Sequence, residues 1–264
     1  MSRPTPPVAL TIAGTDSGAG AGVGADLKAF AAQGVHGTFA VTVVTAQNTL
    51  EVREAHPIPA SVLASQVDAV TDDLPVAATK TGLLWGAAAV RTVADRVQRL
   101  GRLVVDPVLV NSKRERIQPP EVDSLYRSLL FPAAVVLTPN VAEAQLLTGL
   151  DIRTSADAAL AASTLQEEGV EHVVVTGLLQ DGQAIDAWAR PDGVELLAAP
   201  TVDTRNIHGT GCSFAATIAA RLAHGDPADV AIPLAKDAVA GAIAASAHWE
   251  LGDGQGPIDH FWRN

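Results

Sequence analysis

The sequence predicts an α/β fold, a single domain over residues 1–264 whose mainly parallel central sheet is covered by helices on both faces. Three observations lead there. A pattern of apolar strand, loop and amphipathic helix recurs along the chain, and polar residues cluster where the strands end. No internal repeat, low-complexity tract or long linker divides the chain, and Pro and Gly are spread through short connections.

Residues 8–13 form an apolar run suited to a buried strand. A glycine-rich loop over 14–24 follows, and 25–33 have helical spacing with Leu27 and Phe30 on one side. Residues 39–46, 76–79, 103–105, 134–137 and 172–176 read as further strands, with helical patterns over 60–70 and 87–100 between them. Residues 183–189 and 194–198, joined around Pro191-Asp192-Gly193, predict a late antiparallel hairpin. Helices over 212–223 and 227–248 close the pattern.

Composition narrows the function classes. Asp and Glu number 29 against 18 Lys and Arg, a formal charge of −11, which disfavours nucleic acid or an anionic membrane as the main partner. One cysteine excludes an intrachain disulfide framework and a cysteine-based zinc cluster. Residues 1–7 carry no signal-peptide pattern and no apolar run reaches membrane length, so a soluble cytoplasmic protein is expected.

In open parallel sheets ligands collect beyond the carboxyl ends of the strands. Asp16, Gln47-Asn48, Lys80-Thr81-Gly82, Asp106-Pro107 and Asn140 all fall at such ends, so one crevice is expected to gather them. Gly20-x-Gly22-x-x-Ala25 matches a loose dinucleotide fingerprint, but the second strand ends in Gln47-Asn48-Thr49 rather than in the acidic residue a nicotinamide ribose needs. No Gly-x4-Gly-Lys-Ser/Thr occurs.

The most informative junction is Asn206-Ile207-His208-Gly209-Thr210-Gly211-Cys212-Ser213, where a glycine turn becomes a helix. The N–H groups of Gly209, Thr210, Gly211 and Cys212 could cradle an anion, and the helix dipole would favour a thiolate. Cys212 read alone is either a small packed side chain or a reactive thiol. His208 reads as a turn or packing residue, because no second ligand stands at metal spacing. Asn140 and Glu143 spell a helix capping box, or with Asp106 they organise water around Mg²⁺. Asp16 and Asp26 suit loop capping or the polar groups of a small ligand.

Taken in order, Thr11 to Ser17, Ala25-Asp26-Leu27-Lys28, Ala46-Gln47-Asn48-Thr49, Lys80-Thr81-Gly82, Val105-Asp106-Pro107-Val108, Thr138-Pro139-Asn140 with Glu143, and His208 to Cys212 resemble the ribokinase superfamily. Within it the chain is similar to the hydroxymethylpyrimidine/phosphomethylpyrimidine kinases of thiamine biosynthesis. The resemblance implies a ribokinase-like three-layer sandwich, ATP and Mg²⁺ as cofactors, and a homodimer. It also implies phosphorylation of 4-amino-5-hydroxymethyl-2-methylpyrimidine and then of its monophosphate. Cys212 would take the hydroxyl proton beside Gly209, Thr210 and Gly211, with Lys236 near the phosphates. Asp16, Asp26, Gln47 and Lys80 would line the pyrimidine side. Asp106, Asn140, Thr176, Thr210 and Lys113 would face ATP, and Asn140, Glu143 and Asp106 would hold Mg²⁺ mostly through water.

Departures from the family pattern bear on these roles. Thr176-Gly177-Leu178 stands where relatives commonly carry a lysine, and Gly18-Ala19-Gly20 and Gly24 alter the first loop. A charged run, Asn111-Ser112-Lys113-Arg114-Glu115-Arg116, replaces a Ser-Gly lid, and Lys113 or Arg114 is expected to close over the site. A cysteine-containing pyridoxal kinase and a non-catalytic pyrimidine-binding protein are the alternatives.

Overall fold

The computed structural model describes residues 4–263; residues 1–3, part of the amino-terminal segment read above, and residue 264 lie outside it. Its centre is an eight-stranded sheet in the order β10-β9-β8-β7-β6-β5-β1-β2. The strands are β1 (Val8–Ala13), β2 (His36–Val41), β5 (Val76–Thr81), β6 (Arg102–Val105), β7 (Ala134–Leu137), β8 (His172–Gln180), β9 (Gln183–Arg190) and β10 (Gly193–Pro200). Pairing is parallel from β2 through β8 and antiparallel for β9 and β10, as the late hairpin predicts.

Alternate side chains of each strand supply the two cores. Ala9, Ala78, Val104, Val136 and Val174 face α1 (Gly22–Ala32), α7 (Thr210–Ala223) and α8 (Ala228–Ser246). Leu10, Leu103, Val105, Leu137 and Val173 face the other layer. That layer contains α2 (Ala60–Asp73), α3 (Ala87–Ala94), α4 (Glu121–Leu125), α5 (Val141–Thr148) and α6 (Ser155–Gln166). The three-layer sandwich expected from the sequence is therefore present. Buried alanines at 215, 216, 219, 220 and 223 let α7 lie close on the sheet, which carries its first turn to the strand ends.

Several elements differ from the sequence reading. The run 39–46 is two strands, because the chain leaves the sheet at Thr42 and β3 (Val43–Gln47) pairs with β4 (Val52–Pro57) in a separate two-stranded flap. Thr42 fixes the exit by donating its N–H to the Ala13 carbonyl at 3.0 Å and its hydroxyl to the Leu83 carbonyl at 2.6 Å. The first helix begins at Gly22 rather than 25, since Asp16 accepts from the Gly20 and Ala21 N–H groups and organises the entry despite the glycines. The 87–100 pattern ends as α-helix at Ala94 and finishes in a 3-10 turn over Val97–Arg99. Strand β8 runs past Thr176 to Gln180 through an irregularity between Val175 and Leu178, where Gly177 takes φ +83°.

Candidate active site

The glycine loop after β1 and the turn before α7 interlock at the carboxyl ends of the strands. Gly209 has φ +79° and lies so close to the Gly20 carbonyl that a Cβ would not fit, so both its conformation and its contact require glycine. No side chain caps the start of α7. The leading amides of that helix are thus available to an anion, and the interlocked loops bring the start of α1 beside it as a second helix N-terminus.

Beneath this junction lies a fully buried charge cluster. Lys80 Nζ is 3.0 Å from Asp26 Oδ2 and 3.6 Å from Asp106 Oδ2, and the Thr11 hydroxyl donates to Asp26 at 2.6 Å. Burial opposes the lysine's charge, but Asp26, Cys212 and Asp106 outweigh it and hold the ammonium well above its ordinary range. Burial holds Asp26 above its ordinary value, against the pull of Lys80 and the Thr11 hydroxyl. Asp106, more distant from the lysine, is pushed by burial up to about 6 against the pull of Lys80, with Asp26 adding to the rise. Asp26 and Lys80 therefore sit under the crevice floor and shape its charge.

The thiol reverses one expectation. Burial, with Asp106 and Asp26, pushes Cys212 up to about 12 despite Lys80 and the Gly22 N–H. The helix dipole does not produce a standing thiolate, because desolvation and two carboxylates outweigh it. Cys212 is half-buried, and its thiol lies near enough to Asp106 for each to affect the other's proton affinity.

On one side of Cys212 stand Asp16, Gln47 and His208. Asp16 accepts from the N–H groups of Gly18, Gly20 and Ala21 at 2.8, 3.1 and 3.0 Å, and His208 Nε2 lies 2.9 Å from its Oδ2. Burial works against the charge of Asp16, but the bonds from His208 and the loop amides hold its carboxyl below the ordinary range. His208 is also 3.4 Å from the Gln47 amide nitrogen. It joins the two loops, a role sequence spacing did not show, because its partners are remote in the chain.

On the other side, a cavity of about 290 Å³ is lined by Thr176, Thr210, Gly211, Phe214, Lys236 and apolar residues including Leu179 and Ile243. The Thr176 N–H donates to the Pro139 carbonyl at 2.9 Å and Thr176 bridges to Asn140, so these two expected neighbours do meet. Lys236 is in the cavity wall, but its ammonium is already engaged, 2.8 Å from Asp186 Oδ2 and 2.9 Å from the Ala184 carbonyl. Lys113 lies apart from both chambers, on an exposed hairpin closed by a Val110–Arg116 bridge and by Asn111 accepting from the Lys113 and Glu115 N–H groups.

Asn140 and Glu143 form the full capping box at the head of α5. The Glu143 carboxylate accepts from the Asn140 and Leu109 N–H groups, each at 3.0 Å, and burial with Asp106 pushes it up to about 8 against these bonds. Among the described residues no three His, Cys, Asp or Glu side chains converge to cage a metal. Asp106 Oδ2 is nevertheless buried without a hydrogen-bond partner. The Lys80 ammonium stands 3.6 Å from it, and the all-oxygen donors of Asp106, Asn140 and Glu143 are of the kind that holds Mg²⁺ together with phosphate and water.

The family model for phosphomethylpyrimidine kinase matches residues 16–259. A hydroxymethylpyrimidine/phosphomethylpyrimidine kinase of Rhizobium meliloti is 42% identical over 259 residues, covering 97% of each chain. One of Bacillus subtilis is 39% identical, covering 96% of this chain and 94% of its own. Among solved structures, an ADP complex of Bacillus subtilis pyridoxal kinase superposes with a TM-score of 0.90 at 35% identity, covering 97% and 98% of the two chains. A phosphomethylpyrimidine kinase of Clostridium difficile gives 0.79 at 30%, covering 89% of this chain and 99% of its own. The family match takes in the glycine loop, the buried lysine cluster and the Gly-Thr-Gly-Cys turn together, and on that ground the chain belongs to the phosphomethylpyrimidine kinase family.

Proposed function

We propose that the protein transfers a phosphoryl group from Mg·ATP to the hydroxymethyl group of 4-amino-5-hydroxymethyl-2-methylpyrimidine, and then a second onto the monophosphate, for thiamine biosynthesis. The observation that carries this reading is the position of Cys212. It stands where two helix N-termini meet, between the cavity of Thr176 and Lys236 and the crevice of Asp16, Gln47 and His208. A nucleotide in the cavity would direct its phosphates at the amides of Thr210, Gly211 and Cys212, and a flat ring beside Gln47 would present its hydroxyl to the same point.

Mg²⁺, held by Asp106 and through water by Asn140 and Glu143, would neutralise phosphate charge. The chain's own groups position the hydroxyl and accept its proton. A loose phosphoryl-transfer transition state needs the proton removed only late, so a thiol that is protonated in the free protein can serve once it has ionised. With its own proton first released to solvent, a loss that Lys80 favours, Cys212 Sγ would take the hydroxyl proton as the bond to phosphorus forms. Lys236 would exchange its Asp186 contact for phosphate, and Lys113 would join it if the hairpin folded over the site. The proposed setting is a cytoplasmic homodimer; no helix among the described residues is long and apolar enough to cross a membrane.

Pyridoxal phosphorylation is the second reading, favoured by the likeness to pyridoxal kinase structures. Incubation with Mg·ATP and either the hydroxymethylpyrimidine or pyridoxal, followed by mass analysis, tests both. The expected product is the pyrimidine diphosphate. Monophosphate alone would remove the second step, pyridoxal phosphate alone would replace the substrate, and ligand-induced stabilisation without product would indicate a binding protein. Cys212→Ala should fold and bind both ligands while losing on the order of 10²-fold or more in kcat.

A further inference from the structure

Next to Cys212, Ser213 in the first turn of α7 forms with His260 a part-buried polar pair that the phosphoryl-transfer chemistry does not use. The Ser213 hydroxyl lies 2.8 Å from its own helix's Gly209 carbonyl and 2.8 Å from His260 Nε2. Burial and the nearby Lys28 push His260 down to about 4, so the ring is neutral near pH 7. The Ser213 hydroxyl donates to the Gly209 carbonyl, so the neutral ring presents its Nε2–H to Ser213 Oγ. Ser213 is 2% exposed and its hydroxyl is engaged by the Gly209 carbonyl and His260, so it is not presented as a second nucleophile.

His260 belongs to a segment that touches both the loop after Gln47 and the turn that leads into α7. The Gly254 N–H donates to the Thr49 hydroxyl at 3.2 Å and the Gln255 N–H to the Thr49 carbonyl at 3.1 Å, two residues after Gln47. The Gly256 carbonyl accepts from the His208 N–H at 3.0 Å, one residue before Gly209. Asn206, which leads into that turn, spends its amide on the Ser246 and Trp249 carbonyls at 2.7 and 2.9 Å, where α8 hands over to the segment. Trp262 then anchors the far end: its indole N–H donates to the Ala238 carbonyl at 3.1 Å, and its ring occupies the space a Cβ on Gly241 would need.

We propose that residues 252–262 are a strap that sets the Cys212 turn against the Gln47 loop, with His260 as the positioning residue that pins it to Ser213. Neither His260 nor Ser213 touches the reacting atoms. Their effect is on where α7 presents Cys212 and its leading amides, and displacements of this kind reduce turnover far more than they reduce affinity. The proposal rests on the kinase reading for its kinetic arm and on Cys212 accessibility for an independent one.

The test compares the full-length protein with His260→Ala, Ser213→Ala, the double variant and His260→Gln, whose side-chain amide can still hydrogen-bond to Ser213. In assays with Mg·ATP and the hydroxymethylpyrimidine, each alanine variant should lose about tenfold or more in kcat while KM for the pyrimidine stays within about threefold. The double variant should be no worse than the poorer single one, and His260→Gln should recover part of the loss. Unchanged kcat, or losses that multiply in the double variant, would overturn the proposal. Iodoacetamide labelling of Cys212, the chain's one cysteine, needs no turnover: a rate changed at least about threefold in both single variants is expected, and unchanged rates overturn the strap even if the pyrimidine proves not to be the substrate. Should His260→Ala fail to fold, Ser213→Ala, which removes one hydroxyl from a helix, decides the matter by the same two readouts.

Discussion

At the scale of single residues, the site works by burial more than by exposed charge. One ammonium, Lys80, serves Asp26 and Asp106 in a fully buried cluster, so replacing it leaves carboxylates with no counter-ion. Lys80→Met should destabilise the fold by about 3–5 kcal/mol in denaturant titrations, whereas a surface lysine would cost little. The same burial governs Cys212. With its thiol near 12, the rate of iodoacetamide labelling should keep rising through about pH 10 with no plateau at the ordinary value of 9.0. A plateau below that pH would show that the helix N-termini win over desolvation. Asp26→Asn should accelerate labelling, because one of the groups holding the proton on sulfur is removed. The sequence pointed to Cys212, Asp26 and Lys80 as site residues. Their protonation was not legible there, since it depends on which carboxylates the fold places beside the thiol.

At the scale of elements, function depends on where helices begin. The glycines of the 14–24 loop and the turn before α7 allow two backbones to approach more closely than side chains would permit, and this brings the starts of α1 and α7 together at Cys212. Gly209→Ala tests the arrangement: the φ of +79° and the contact with the Gly20 carbonyl both oppose a Cβ, so a loss of about 1–3 kcal/mol in stability is expected. ATP-induced stabilisation should fall with it, and an alanine variant that keeps wild-type Tm and ATP response would contradict the interlocked turn. Here the sequence was legible for strands whose alternate residues are apolar on both sides, such as β1 and β7. It was not legible for the flap, because the β-branched run through Thr42 contains no turn residue; the break comes from hydrogen bonds to Ala13 and Leu83.

At the scale of the whole molecule, pH reports on the buried acids. Glu143 binds its proton more tightly folded, at about 8, than its ordinary value of 4.5, so its contribution to stability is full below the ordinary value and is lost as pH rises through about 8. His260 works in the opposite sense, since its ordinary value of 6.5 falls to about 4, and its contribution is complete above the ordinary value. In metal-free buffer, stability should therefore decline between about pH 6.5 and 8.5 by at most about 1.4 kcal/mol per pH unit, and Glu143→Gln should flatten that slope. A slope unchanged by the substitution would remove Glu143 as its source. The three-layer architecture was legible in the sequence itself, because periodicity acts between near neighbours in the chain, and the order of motifs along the chain proposed Cys212, Asp106, Asn140 and Glu143 as candidates. Only the tertiary structure decided that Asp26 and Lys80 lie beneath the crevice, that Lys236 is paired with Asp186, that His208 joins Asp16 to Gln47, and that His260 reaches Ser213. Each of those contacts links residues dozens or more positions apart, so it exists only once the sheet order has brought their elements together.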